Sequence, residues 1–378
     1  MSMKKFTKKM LAIVAAAAMT MGLAMPAFAS ETGGEPQKVT RAYISKTYNR
    51  EVEKPLTFNF TATQVVTGTG VIATGHEITM PQIAFTTGTG TSTDVGEINF
   101  GTFTEAGKYV YTVKEGASDP AITNSKHEKL IMSQAEYEMD VYVLEDNGTY
   151  KIDNIIVNKT KDDEGGDVSG KVDIGSDPTT NGFRFENTYV QEAGTGTDPT
   201  NPDPDYDSLK VSKEIVLANR EAVDTEKEFD FTATFTFPAG TNANTLGGVK
   251  VNGNGVALVG GTHTFKLKHG ENAKFTGLPV GTKISVTEAA TPNYKGSAKV
   301  TINGAVVDTV TASKYNAAIT VSNQKLGQKK NAVDVTNSYN NVPVTGIIMN
   351  TLPYVLMVAL CGAVLVAFVA SKRRKVQK

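Results

Sequence analysis

The sequence predicts an all-β protein in which two tandem β-sandwich domains lie between an N-terminal signal peptide and a C-terminal transmembrane helix. Two observations lead there. Between residues 30 and 341, Thr, Val, Phe and Tyr alternate with polar residues at period two and are broken by Gly turns, the pattern of half-buried strands. Only the stretch at 133–138 carries a trace of helical spacing. Four landmarks then recur in the same order in both halves. Ser45-Lys46 with Asn49-Arg50-Glu51 matches Ser212-Lys213 with Asn219-Arg220-Glu221, and Phe58-Asn59-Phe60-Thr61-Ala62-Thr63 matches Phe229-Asp230-Phe231-Thr232-Ala233-Thr234. Val113-Lys114-Glu115 matches Val286-Thr287-Glu288, and Asn187-Thr188-Tyr189 matches Asn337-Ser338-Tyr339. An ordered internal repeat implies two copies of one fold.

The N-terminal element, residues 1–29, is an export signal. Lys4-Lys5-Phe6-Thr7-Lys8-Lys9 is a positive n-region, residues 10–25 are apolar, and Ala27-Phe28-Ala29 supplies the small–x–small pattern that predicts cleavage between Ala29 and Ser30. Residues 30–190 form the first domain, 191–205 a Pro/Gly/Thr-rich extended linker, and 206–341 the second domain. The Gly-Thr run at 86–93 reads as a flexible loop. Residues 347–370 carry no charge and as a helix would extend about 36 Å, enough for a bilayer core of about 30 Å. The basic residues of 371–378 hold that end in the cytoplasm. Val342-Pro343-Val344-Thr345-Gly346 precedes the span. It resembles the sorting signal of Gram-positive surface proteins, a Leu-Pro-x-Thr-Gly type pentapeptide followed by a hydrophobic span and a basic tail. The resemblance implies cleavage by a sortase after Thr345 and transfer of its acyl group to an amine. Val at the first position departs from the usual Leu, as in substrates of pilus-building sortases.

Composition excludes several classes. The 38 basic and 39 acidic residues nearly cancel, but the basic ones concentrate at the ends, and residues 30–345 hold 29 basic against 39 acidic side chains. A nucleic-acid partner relying on a basic surface is therefore not expected. One cysteine, Cys361, excludes intrachain disulfides and multi-cysteine metal sites. Gly68-Thr69-Gly70-Val71-Ile72-Ala73 mimics a dinucleotide fingerprint without the helix that such a site needs. Asp203, Asp205, Asp207 and Glu214 fall at calcium-loop spacing, but Ser208 replaces the turn glycine and Pro204 stiffens the start. The four histidines show no ligand spacing, so neither metal nor cofactor is expected, and no motif for catalytic turnover is present.

Strand parity supplies the chemical clue, because alternate side chains share a face. Lys46 shares a face with Ala42 and Ile44, and Lys213 with Leu209 and Val211. Glu115 follows Tyr109, Tyr111 and Val113, and Glu288 follows Ile284 and Val286. Asn187 follows Phe183 and Phe185, and Asn337 follows Val333 and Val335. All six polar residues thus lie on apolar faces. Two readings stand open. One is a buried salt bridge with an attendant amide, costly to desolvate and of little net stabilising value. The other is chemistry: desolvation lowers a lysine pKa and raises a glutamate pKa. A neutral amine could then attack the Asn side-chain carbonyl, expel ammonia and leave an amide cross-link, once per domain.

The landmarks also resemble a known family. Tyr109-Val110-Tyr111-Thr112-Val113-Lys114-Glu115, preceded by Phe103-Thr104-Glu105-Ala106-Gly107, is similar to the signature of streptococcal-type pilin isopeptide domains. The stretch from Phe275-Thr276-Gly277-Leu278-Pro279-Val280-Gly281-Thr282 to Val286-Thr287-Glu288 resembles Ig-like collagen-adhesin B-type domains. Glu288-Ala289-Ala290-Thr291-Pro292-Asn293-Tyr294 resembles the pilin E-box. With the export and sorting ends, this resemblance spans nearly the whole chain and implies the major (backbone) pilin of a Gram-positive covalent pilus. It implies Lys46–Asn187 and Lys213–Asn337 isopeptide bonds, with Glu115 and Glu288 as their catalysts. Further implications are a pilus-type sortase, neighbouring pilin copies, minor pilins and peptidoglycan as partners, and residence at the cell surface after a membrane-inserted precursor. The tryptophan-containing motif that marks the polymerising lysine in some relatives is absent. Position after the strand-like 150–157 leaves Lys159 and Lys161 as candidates. The alternative reading is a monomeric wall-anchored adhesin that binds a host ligand.

Overall fold

The computed structural model describes residues 38–66, 73–217 and 224–340. The export signal with Ala29 and Ser30, the Asn219-Arg220-Glu221 landmark, the segment 68–72, the sorting pentapeptide from Val342 to Gly346 and the span and tail after it lie outside the described residues. Every named element is a strand. The long core strands carry the alternating apolar residues, whereas short or edge strands such as Asp167–Lys171 and Asn254–Gly255 form by pairing alone. The first half contains β1 (Tyr43–Arg50), β2 (Leu56–Gln64), β3 (Gln82–Phe85), β4 (Gly90–Glu97), β5 (Gly107–Glu115), β6 (Glu128–Ile131), β7 (Glu136–Asp146), β8 (Thr149–Lys161), β9 (Asp167–Lys171) and β10 (Arg184–Gln191). The second half contains β11 (Leu209–Leu217), β12 (Phe229–Thr236), β13 (Lys250–Val251), β14 (Asn254–Gly255), β15 (Thr262–Leu267), β16 (Asn272–Thr276), β17 (Lys283–Glu288), β18 (Tyr294–Ile302), β19 (Ala305–Thr311), β20 (Ile319–Lys325) and β21 (Ala332–Tyr339).

Each half stacks two sheets. In the first, the order β4-β1-β10-β6 faces β3-β2-β5-β7-β8-β9; in the second, β14-β13-β16-β11-β21-β18-β19 faces β15-β12-β17-β20. The facing sheets meet through aromatic side chains. Tyr48 of β1 lies 5.0 Å from Phe58 of β2, and Phe60 of β2 lies 5.1 Å from Phe185 of β10. In the second half Phe229 of β12 meets Tyr294 of β18 at 5.0 Å and Phe235 meets Phe275 of β16 at 5.4 Å. Such rings bury large apolar areas and take the place of disulfides in holding the layers. In both halves the first strand pairs in parallel with the last, β1 with β10 and β11 with β21.

Three local expectations change. From Gly90 onward the Gly-Thr run is strand rather than loop, because β4 pairs antiparallel with β1 along Tyr43–Arg50 and closes its free side. Residues 132–135 are a loop leading into β7, with no helix. The linker expected at 191–205 begins as a packed joint: Gln191, Glu192, Ala193 and Thr195 are buried. Ala193 N–H donates to Leu278 O and Val280 N–H to Gln191 O, both at 2.8 Å. The Glu192 carboxylate accepts from Gly277 N–H, from Ser208 Oγ at 3.1 Å and from Tyr206 OH at 3.0 Å, and His127 Nδ1 stands 2.8 Å away. Polar composition alone suggests solvation, whereas four partners from both halves satisfy this carboxylate out of water.

Candidate functional site: a buried lysine, glutamate and asparagine in each sandwich

β1 is an interior strand, flanked by β4 and β10, so its core-facing side chains have no route to water. Ile44, Lys46 and Tyr48 are each 0% exposed. Lys46 Nζ lies 2.7 Å from Glu115 Oε1, a carboxylate reaching over from the opposite sheet, and both side chains are fully buried. The same Oε1 accepts from Asn187 Nδ2 at 3.0 Å, while Asn187 Oδ1 accepts from the Ser133 backbone N–H at 2.7 Å. Phe58 forms the floor, its ring centroid 4.4 Å from Lys46 Nζ.

The second half rebuilds this cluster. Lys213 Nζ lies 3.2 Å from Glu288 Oε1 and 3.4 Å from Oε2, with the Phe229 ring 4.2 Å beneath it. Asn337 Nδ2 donates to Glu288 Oε1 at 2.5 Å. Register explains the match. Lys46 pairs with Phe185 and Lys213 with Val335, so in each half the asparagine stands two residues further along the parallel partner, on the lysine's own face. On the facing sheet Glu115 pairs with Phe60 and Glu288 with Phe231, positions that correspond in the repeat.

Burial dominates the electrostatics. It pushes both lysine amines down to about 8, against the pull of their glutamate partners. It pushes the Glu115 and Glu288 carboxyls up, opposed by the lysines. Both shifts favour the uncharged forms, in which the proton resides on the carboxyl and the amine keeps its lone pair. A neutral amine, a neutral acid and a carboxamide sharing one oxygen are the ingredients of amide exchange. They also satisfy the simpler description of a buried ion pair.

The remaining candidates are dispersed. Lys159 and Lys161 lie inside β8 rather than in a loop after it, because β8 continues to Lys161 against β7 and β9. Lys159 is half-buried, 3.1 Å from Asp163 and over the Tyr137 ring; Lys161 pairs with Glu136 at 3.0 Å. Sequence reasoning missed Phe58 and Phe229 as site residues, although they open the repeated Phe-x-Phe-Thr-Ala-Thr landmark. It also missed Ser133, whose contribution is a backbone donor in a stretch with no counterpart in the repeat.

A family described as "Domain of unknown function (DUF7601)" matches residues 207–339. No curated protein matches the chain. Among solved structures, the chain is similar to the major pilin from Streptococcus pyogenes at 20% identity and a TM-score of 0.33, covering 80% of this chain and 99% of that one. It is similar to the major pilin protein T-13 of the same species at 19% identity and a TM-score of 0.32, covering 80% and 98%. A pilus-presented adhesin aligns at 19% identity and a TM-score of 0.26 over 54% of this chain and 36% of its own.

Proposed function

We propose that this protein is the structural backbone subunit of a covalent cell-surface pilus, sealed internally by Lys46–Asn187 and Lys213–Asn337 amide bonds. What carries the reading is one observation: lysine, glutamate and asparagine recur at the same register in both sandwiches, each time between the first strand and the last. A salt bridge needs no asparagine and no such repetition. In the reaction the neutral lysine Nζ attacks the asparagine Cγ, forming the C–N bond while the carbonyl π pair moves to Oδ1. The glutamate carboxyl takes the proton from Nζ and delivers one to Nδ2. Collapse of the tetrahedral centre breaks the Cγ–Nδ2 bond, releases ammonia and leaves a secondary amide. Each domain reacts once, and nothing turns over.

Each bond closes a loop of more than a hundred residues, which stabilises the fold by about 5 kcal/mol on the loop-closure model. For a fibre the mechanical effect is larger, since tension passes from first strand to last through covalent bonds. Sortase then joins the Thr345 acyl group to a lysine of the next copy, with Lys159 the preferred acceptor and Lys161 the other, and finally to peptidoglycan. Minor pilins join the same polymer. The test is the intact mass of the exported chain, expected to fall short of its sequence mass by two ammonia molecules. A companion test is an immunoblot of wall extracts, expected to show a sortase-dependent ladder. A full sequence mass refutes the internal bonds, and a single monomer band favours the wall-anchored adhesin.

A further inference from the structure

The two clusters differ at the asparagine carbonyl oxygen, the atom that takes up charge in the reaction. Asn187 Oδ1 receives the Ser133 N–H at 2.7 Å, whereas Asn337 Oδ1 is buried with no hydrogen-bond partner among the described residues. We propose that the Ser133 backbone N–H is an oxyanion donor for closure of the Lys46–Asn187 bond, and that the second domain closes its bond without one. The inference rests on the cross-linking reading above and adds to it a catalytic group and an order of events.

Strand pairing is the cause of the difference. In the first domain β6 pairs with β10 only as far back as Ile131 opposite Thr188, and the chain then leaves the sheet. The amide of Ser133 is thereby free of any ladder and turns toward Asn187. The loop is clamped in that position. Ser133 Oγ donates to Asp163 Oδ1 at 2.6 Å, the same oxygen accepts from Glu186 N–H at 2.9 Å, and Gln134 N–H donates to Asp163 O at 3.0 Å. In the second domain the corresponding flank of β21 is occupied by β18, paired from Tyr294–Tyr339 through Thr301–Ala332, with Gly296 opposite Asn337. A ladder strand there leaves no loop amide to reach the carbonyl oxygen.

The chemistry follows. As Lys46 Nζ adds to Asn187 Cγ, the electron pair of the C=O bond moves onto Oδ1, which becomes an alkoxide. A hydrogen bond to an anionic oxygen is about twice as strong as one to a neutral carbonyl, so the Ser133 N–H stabilises the tetrahedral state more than the ground state. The pair then returns to re-form C=O as ammonia departs, its proton supplied through Glu115. Removing one such donor from an acyl-transfer site slows the reaction by about 100- to 1,000-fold.

The experiment is pulse-labelled cell-free synthesis of the full chain, arrested at initiation and then sampled over time. Samples are quenched in denaturant and digested, and the branched Lys46–Asn187 and Lys213–Asn337 peptides are quantified. In the wild-type chain the first is expected to close on the order of 100-fold faster. Ser133→Pro, which removes the N–H, is expected to abolish that lead while the Lys213–Asn337 rate in the same molecules stays unchanged. Hydrogen exchange in β1 and β10 verifies that the variant's first domain is folded. Equal or slower closure in the wild-type first domain overturns the proposal whatever the variant does, and so does an unchanged rate in a folded Ser133→Pro chain. Absence of both branched peptides refutes the cross-links themselves, and this inference with them.

Discussion

A lysine amine 2.7 Å from a glutamate carboxyl, with neither exposed to solvent, loses more hydration than a single pair interaction returns. Burial therefore drives the Lys46 and Lys213 amines down to about 8 and raises both carboxyls. The reactive arrangement, neutral amine with protonated acid, contains one proton per pair. Acid adds a second proton and quenches the nucleophile; base removes the last one and leaves no acid for the departing nitrogen. Bond formation in newly made chains is thus expected to follow a bell in pH, its upper limb falling as pH rises through about 8. Mass-resolved closure rates between pH 4 and 10 check this, and a rate still rising above 9 would count against the neutral-pair mechanism. Glu115→Ala or Glu288→Ala removes the carboxyl to which the proposed reaction assigns proton transfer. Each variant is expected to retain one ammonia more than the wild type and to unfold roughly 10–20 °C lower in its affected domain, from a loss of about 5 kcal/mol. Intact mass and calorimetry read both effects.

At the scale of strands, the site depends on parallel pairing of the first strand with the last. That pairing sets lysine and asparagine two residues apart along neighbouring strands, on one face, in each half. In the second half the asparagine's other neighbour is a glycine, Gly296. A Cβ added at Gly296 would stand 3.1 Å from Asn337 Oδ1 and 3.1 Å from Ile319 Cγ2, closer than ordinary packing allows. Gly296→Ala is accordingly expected to displace the Asn337 amide from Glu288 and leave a measurable fraction of chains without the Lys213–Asn337 bond. The Lys46–Asn187 bond in the same molecules should be complete. Peptide mapping distinguishes the two, and full closure of both bonds would show that the glycine has no bearing on alignment.

Across the whole molecule, the joint at Gln191–Thr195 lies between the two clusters along the chain, so in the proposed fibre the three would carry tension in series. A Cβ at Gly194, where φ is +81°, would lie 1.9 Å from the Asp207 carbonyl oxygen, so the chain crosses between domains at backbone contact distance. Glu192 ties both halves through Gly277, Ser208, Tyr206 and His127, and Lys325 pairs with Glu51 across the joint at 2.6 Å. Glu192→Ala leaves those donors without their acceptor. It is expected to raise hydrogen exchange at Gly277 and Ala193 and broaden the small-angle scattering profile, with protection in β11 and β21 unchanged. With both bonds closed, a chain pulled between its ends should show no domain extension. Lys46→Ala should release about 140 residues of the first domain, roughly 480 Å of contour, in single-molecule pulling. Extension of the wild type by that length would contradict a covalent path through the first domain.

The sequence alone determined which polar residues lie on apolar faces. Period-two alternation is a property of each strand by itself, so Lys46, Glu115, Asn187 and their counterparts in the second half were legible without a partner. The internal repeat likewise made two sandwiches legible, and Phe58 and Phe229 were within reach as repeated positions whose role went unread. Only the tertiary structure decided what those faces meet. The 2.7 Å approach of Lys46 to Glu115 joins two sheets, and the lysine–asparagine register joins strands more than a hundred residues apart. The Ser133 donor, the strand character of Lys159 and Lys161 and the burial of Glu192 were likewise hidden from the sequence. The reason is physical: a backbone amide's partner, or a polar side chain's solvation, is set by whichever element packs beside it, and that neighbour leaves no mark on the local pattern of residues.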